Sequence, residues 1–199
     1  MPEVKDALPV LLFPSLKAWE DWLAAQPSNS TGLWLKLAKK SAKGRTLSKD
    51  EAIEGALCHG WIDGQLKPFD ADFWLIRFTP RKRGSKWSER NRVRAGALMD
   101  AGRVAPAGLR EIETAKADGR WDAAYAPQST ATVPDDLAQA LDATPAAKAM
   151  FATLDRVNRY AILYRVYQAA SAKTRAARIE KFIGMLERGE LIHPKKGKE

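Results

Sequence analysis

The chain has 199 residues, of which 45% are hydrophobic and 29% are charged. These fractions are typical of a globular protein with a buried core and exclude a disordered chain. No apolar run approaches the roughly 20 residues that a membrane-spanning helix needs. Because the N-terminus carries acidic residues, and Pro9 and Pro14 interrupt its short apolar patch, it does not resemble a secretory signal, and we expect a cytoplasmic protein.

The formal net charge of +9 indicates an anionic partner, such as nucleic acid, an anionic membrane surface or an acidic protein. The single cysteine, Cys58, excludes an internal disulfide. The two histidines, His59 and His193, lie far apart in the chain, which argues against a structural zinc site. We therefore expect neither a metal nor a cofactor.

The first elements follow clear local patterns. Residues 16–26 have apolar positions at helical spacing, and Ser15 is suited to cap that helix. The alternation in LWLKLAK, residues 33–39, predicts a half-buried strand with its leucines on one face. Ser48 and Glu51 form the capping-box pattern that begins the next helix.

A hairpin is predicted after this second helix. Gly60 is suited to the left-handed conformation that ends a helix. The pattern then changes to period two over residues 61–67 and again over 73–79, with the turn formers PFDAD between them. In a register symmetric about that turn, Leu66 faces the core.

The same register places Asp63 directly opposite Arg77 on the other face. That face also carries Trp61, Lys67, Leu75 and Phe73. An Asp63–Arg77 pair is most simply a cross-strand salt bridge that stabilises the sheet. The alternative is that this aromatic-rimmed face, joined by Trp34 and Lys36 of the earlier strand, lines a binding groove.

Helical spacing returns over about residues 87–100 and 107–118. Residues 126–133 combine proline with small polar residues and form the predicted linker. We predict an α+β fold: a domain at 1–125 with a small antiparallel sheet and packed helices, followed by an all-helical module at 134–199 with a basic tail.

The stretch LCHGWIDGQ, residues 57–65, looks at first like a reactive site. Neighbours on a helix diverge by about 100 degrees, so Cys58 and His59 cannot readily act on each other. A nucleophilic cysteine needs a base within hydrogen-bonding reach. We therefore interpret Cys58 as a small apolar residue at a helix end, and His59 as a side chain that suits the helix dipole there.

The strongest binding feature is the segment 77–94, which has eight Arg or Lys residues against one Glu. Such a segment can hold phosphates while an aromatic side chain stacks on a base. The alternative is a solvated basic loop that Trp87 anchors to the core. The glycine-rich patterns of nucleotide-binding loops are absent from the sequence. The candidate surface comprises Arg77, Arg81, Lys82, Arg83, Lys86 and Trp87, joined by Trp61 and Asp63.

Several motifs resemble the YdeI/OmpD-associated family, often described as bacteriocin-protection proteins. They are ALCHGWIDGQ, RFTPRKRGSKWSERN and GRVAPAGLREIETAKADGRW. The C-terminal PDDLAQAL, PAAKAMFATL and AKTRAARIEK resemble the helical OmdA-type module of that family. The resemblance implies an N-terminal α+β part akin to the YjbR/CyaY-like group and a helical C-terminal part. Asp155 stands where the family has a serine-type helix start, and Asp also caps helices.

The resemblance supplies no catalytic residues. We predict a non-enzymatic binding protein linked to stress or bacteriocin protection, whose partner is an anionic ligand, a nucleic acid or a protein. One alternative is binding of nucleic acid or another polyanion through residues 77–94. The other is an enzyme acting on a small anionic ligand in a pocket near Asp63 and Arg77. The sequence is also compatible with a homo-oligomer.

Overall fold

The computed structural model describes residues 8–42 and 46–194, and it confirms the predicted α+β class. The chain divides into two compact units, Met1–Ala124 and Tyr125–Glu199. The predicted domain limits and the linker at 126–133 stay predictions. No helix in the two described ranges is both long enough and apolar enough to cross a membrane.

Within the described residues, the N-terminal unit has a four-stranded sheet and four helices. Its elements are β1 (Val10–Leu11), α1 (Leu16–Ala24), β2 (Leu33–Ala38), α2 (Lys49–Cys58), β3 (Trp61–Pro68), β4 (Phe73–Pro80), α3 (Glu89–Asp100) and α4 (Pro106–Ala117). The strand order is β1-β2-β4-β3, in which β1 runs parallel to β2 and the other neighbours are antiparallel. The two-residue strand β1 was not predicted.

One face of the sheet packs on the helices and forms the core. Burial alternates along β2 as predicted, so that Leu33, Leu35 and Leu37 are buried while the residues between them are half-buried. On the same side, the fully buried Trp19 of α1 donates its indole N–H to the carbonyl oxygen of Ala52 at 3.0 Å. This bond lets a large aromatic side chain enter the core without leaving a polar group unsatisfied.

Hydrogen bonds and backbone geometry confirm the predicted starts of α1 and α2 and the predicted end of α2. Ser15 caps α1 by accepting the backbone N–H of Ala18. Ser48 and Glu51 form the complete capping box of α2. Gly60 follows that helix with a φ of 76°, in the left-handed region that glycine favours.

The end of α2 is the point at which distant segments meet. The carbonyl oxygen of Cys58 accepts the N–H of Ala105, at the start of α4, at 3.0 Å. The carbonyl oxygen of Gly60 accepts the N–H of Arg81, just after β4, at 2.9 Å. Gly108 lies so close that an added Cβ would stand 2.3 Å from the carbonyl oxygen of Cys58.

The predicted hairpin is present, but its predicted register is wrong. Asp63 pairs with Phe78, and Leu66 pairs with Ile76, so that Gly64 and Gln65 together oppose one residue of β4. This β-bulge shifts the register, and the residue that faces it is Arg77. Asp63 therefore does not stand opposite Arg77.

The shift also changes which side chains are buried. Trp61, predicted on the polar face, is 4% exposed and packs edge-on against Trp22 with 5.6 Å between ring centroids. Leu66, predicted in the core, is 55% exposed. Burying an indole stabilises more than burying a leucine side chain at the far end of the hairpin, so packing outweighs hairpin symmetry.

The C-terminal unit is a helical module with its own core. Its helices are α5 (Asp135–Asp142), α6 (Pro145–Thr153), α7 (Arg156–Tyr167) and α8 (Ala172–Glu187). Asp155 caps α7, as predicted. Arg175 of α8 clamps Asp136 of α5 with bonds of 2.5 and 2.8 Å, and these bonds hold the pKa of Asp136 below its ordinary value.

We expect Gly108→Ala to lower the free energy of unfolding of the N-terminal unit by about 1–3 kcal/mol, because the methyl group would overlap backbone that cannot move freely. Gly96→Ala in α3 is the matched control. Its methyl group would meet nothing within 4 Å, and alanine favours helix by roughly 0.5–1 kcal/mol over glycine.

Urea unfolding followed by tryptophan fluorescence measures both effects. All seven tryptophans lie before residue 125, so the fluorescence reports this unit alone. Equal effects of the two substitutions would contradict the close approach of α4 to Cys58.

Candidate functional site

The segment between β4 and α3, residues 81–88, is a basic loop that is anchored from within. Arg81 is only 7% exposed, and its guanidinium carbon lies 3.6 Å from the centroid of the Trp87 ring. Trp87 is 1% exposed and meets Trp121 edge-on, with the ring centroids 4.9 Å apart. Two of the predicted binding residues thus lie in the protein interior, where Trp87 cannot stack on a ligand.

Backbone bonds fix the shape of the loop. Ser85 donates its N–H to the carbonyl oxygen of Lys82 at 2.7 Å, and its hydroxyl accepts the N–H of Lys82 at 2.8 Å. From outside the loop, Arg120 donates to the carbonyl oxygen of Ser85 at 2.7 Å. Asp118 pairs with Arg120 at 2.8 Å and holds that guanidinium in place.

The remaining cations of the loop point outward. Lys82, Arg83 and Lys86 are exposed. Loss of hydration raises the pKa of Asp118, but the hydrogen bonds and charge of Arg120, together with the charge of Arg83, outweigh it and leave that pKa below its ordinary value. The carboxylate of Asp118 is therefore ionised at neutral pH, and it offsets part of the positive charge near Arg83.

Two other arginines of the basic segment have structural partners. Arg94 forms an ion pair with Asp50 at the start of α2. Arg92 donates to the carbonyl oxygen of Trp121 at 3.4 Å and lies 3.9 Å from Glu89. The exposed cations of residues 77–94 are therefore Lys82, Arg83 and Lys86 of the basic loop and Arg90 of α3.

Asp63 and Arg77 occupy different surroundings. The carboxylate of Asp63 accepts a hydrogen bond from the side-chain amide of Asn91 in α3, at 3.4 Å. Arg77 pairs with Trp34 in the register of β2 and β4, and its Nε is buried without a hydrogen-bond partner among the described residues. The two residues do not form the acid–base pair that an active site would require.

A cleft of about 470 Å³ opens beside the start of the basic loop. It is lined by His59, Trp61 and Arg81 together with the first turn of α4 and Arg110. Burial lowers the pKa of His59 despite the nearby carboxylate of Glu20, so the imidazole is neutral at neutral pH. Sequence reasoning missed this cleft because its walls come from segments that are distant along the chain.

Cys58 is inert in the folded protein. It is 1% exposed, and burial raises the pKa of its thiol to about 11, although the positive charge of Arg103 acts in the opposite direction. The thiolate is the nucleophilic form, and it is scarce at neutral pH. Among residues 8–42 and 46–194, no cluster of His, Cys, Asp or Glu side chains is suited to hold a metal ion.

The side of the sheet that faces away from the core carries aromatic rings and cations; we call it the outer face. Lys67 lies over the ring of Trp34 at 4.1 Å, and Lys36 lies over the rings of Phe73 and Phe69 at 4.1 and 4.4 Å. Alternation along β2 and β4 predicted most of this face. Phe69 was missed because it belongs to the turn, where period two no longer applies.

Two family models match the chain. Residues 11–111 match one described as "Domain of unknown function (DUF8412)". Residues 130–189 match one described as "Bacteriocin-protection, YdeI or OmpD-Associated", or OmdA, which confirms the family resemblance for the helical part. Neither match supports a likeness to the YjbR/CyaY-like group. No curated protein and no solved structure matches significantly.

We expect Cys58 to resist Ellman's reagent in the native protein at mildly alkaline pH, because the thiol is buried and protonated. In denaturant, one thiol per chain should react at once. Absorbance after manual mixing measures both states. Rapid native labelling of a full equivalent would contradict the buried position and restore a catalytic interpretation.

Proposed function

We propose, for a chain that belongs to the DUF8412 family and carries an OmdA-type region at its C-terminus, that it is a non-enzymatic binding protein. Its ligand is a nucleic acid, which the basic loop holds through its phosphates. The observation that carries this proposal is the construction of the loop. Arg81 and Trp87 are buried beneath it, while Lys82, Arg83 and Lys86 are exposed above it.

A loop fixed in this way is prepared for phosphate contacts. Cations on a mobile segment lose side-chain and backbone freedom when they bind, and this loss weakens association. Here the stacked Arg81–Trp87 pair and the bond from Arg120 to Ser85 already hold the backbone. Binding then orders only the ends of the exposed side chains.

The spacing of the charges favours a polymer over a small anion. Lys82, Arg83 and Lys86 project from an exposed loop and do not line the cleft beside it. Separate phosphates along a chain match such an arrangement, and the net charge of +9 assists the encounter at long range.

The enzyme alternative has less support. It depends on a pocket near Asp63 and Arg77, but these side chains are not paired, and neither lines the cleft. Cys58, the other reactive group nearby, is buried and protonated. No observation among the described residues favours catalysis over binding.

A role in stress or bacteriocin protection rests on the family resemblance and on the description of the OmdA family. That description names a phenotype and not a reaction. Binding of a cellular polyanion is compatible with such a phenotype without requiring catalysis. A link to protection therefore stays part of the proposal, secondary to the binding activity.

The test is the charge reversal Lys82→Glu with Arg83→Glu, compared with Lys173→Glu and Lys181→Glu. Both pairs change two exposed cations, but the second pair lies on α8 in the C-terminal unit. We expect the loop variant to bind a fluorescent oligonucleotide at least roughly tenfold more weakly, because phosphate contacts supply most of the affinity. The control should lose much less.

Anisotropy titrations at several salt concentrations measure the affinities. For the wild-type protein, the logarithm of the binding constant should fall linearly with the logarithm of salt concentration. Affinity that is indifferent to salt, or equal loss in the two variants, would overturn the assignment to the loop.

A further inference from the structure

We propose that the outer face of the sheet receives the unpaired bases of a single-stranded nucleic acid. This inference rests on the proposed function and identifies the form of the ligand. In this arrangement the basic loop holds phosphates, while the aromatic rings of the outer face stack on bases.

Aromatic rings are accessible on this face. Phe69 is 48% exposed, and Trp34 and Phe73 are half-buried. In the core-facing layer, by contrast, the large aromatic side chains pack against one another, as Trp19 does with Phe78 at 5.3 Å. Rings that stand on a sheet and face outward are the usual platforms for base stacking.

The outer face carries positive charge as well as aromatic rings. Lys36, Lys67 and Arg77 occupy the outer face together with Trp34, Phe73 and Leu75, and none of these six described positions is a carboxylate. One acidic side chain, that of Asp70 in the turn, lies 3.7 Å from Lys36. The face therefore complements a polyanion along the strands themselves.

The cations already lie where aromatic rings and phosphates would meet. β4 lies between β2 and β3, so Lys67 must extend across β4 to place its ammonium group over Trp34. Leu75, which is opposite Lys67 in the strand register, is 1% exposed although it lies outside the core cluster. A base stacking on Trp34 would displace this exposed ammonium group toward a backbone phosphate.

The outer face is continuous with the basic loop through β4. β4 runs from Phe73 to Pro80, and the loop follows it directly. At about 3.3 Å per residue, Arg77 and Lys82 lie within roughly 16 Å of each other along the chain. One strand of nucleic acid can therefore contact the outer face and the loop together.

We infer a single strand because the bases of a duplex cannot stack on the aromatic rings of the outer face. Its bases are already stacked on one another, so only the phosphates remain for the protein. An unpaired strand offers free base faces, and each stacked base contributes to affinity. The outer face should therefore favour single strands, whereas the loop alone should not distinguish them.

The experiment uses the full chain and an oligothymidylate of about 15 nucleotides, compared with the same strand in a duplex. Of the seven tryptophans, all within the described ranges, only Trp34 lies on the outer face; the others belong to or pack against the core. Binding of the single strand should quench fluorescence in the wild type. Trp34→Phe keeps a ring for stacking, so it should retain affinity but lose most of the quenching.

Two alanine variants test the contribution of the rings. Trp34→Ala and Phe69→Ala should each weaken binding of the single strand roughly tenfold and leave duplex binding unchanged. Phe69 lies in an exposed turn, so its variant is expected to fold normally. Val157→Ala, at an exposed apolar position of α7 in the C-terminal unit, is the matched control and should change neither affinity.

The outcomes separate this inference from the proposed function. One outcome would overturn the assignment of base stacking to the outer face and keep the assignment of phosphate binding to the loop. In that outcome the protein binds single strand and duplex with equal affinity, its fluorescence is not quenched, and charge reversal in the loop weakens binding. Failure to bind either oligonucleotide would overturn both. A change of sedimentation in Trp34→Ala without a change in affinity would assign the face to a second copy of the chain instead.

Discussion

Two carbonyl oxygens at the end of α2 hold together three segments that are distant in sequence. The carbonyl oxygen of Cys58 accepts the N–H of Ala105, just before α4. The carbonyl oxygen of Gly60 accepts the N–H of Arg81, where the basic loop begins. Both bonds depend on the left-handed turn at Gly60, which redirects the chain from helix to strand. Main-chain geometry therefore sets the point at which the loop begins, and the Arg81–Trp87 stack and the bond from Arg120 to Ser85 hold the rest of it.

Local interactions made much of the fold predictable. Ser48 and Glu51 are three residues apart, so their capping box is visible in the sequence, and the alternation along β2 reports its own burial. The register of β3 and β4 was not predictable, because it depends on a bulge at Gly64 and Gln65 that optimises the packing of Trp61 against Trp22. Such packing joins residues that no short pattern connects.

The positive charge of the candidate site was predictable from the sequence, but the burial of its individual side chains was less so. Eight cations in one segment indicated a basic surface, but the sequence does not distinguish an exposed arginine from one stacked on a buried indole. Arg81 lies beneath the surface because Trp87 offers its ring on the inner side. Arg81 therefore stiffens the loop, while Lys82 and Arg83 are exposed to solvent.

The bulge in β3 has a consequence for how the protein behaves when concentrated. β3 is an edge strand of eight residues, and an edge of that length exposes backbone groups that can pair with another molecule. Two residues opposing one interrupt the regular spacing of those groups, and Pro68 removes a donor at the end of the strand. The irregularity that separates Asp63 from Arg77 therefore also protects the sheet against edge-to-edge aggregation.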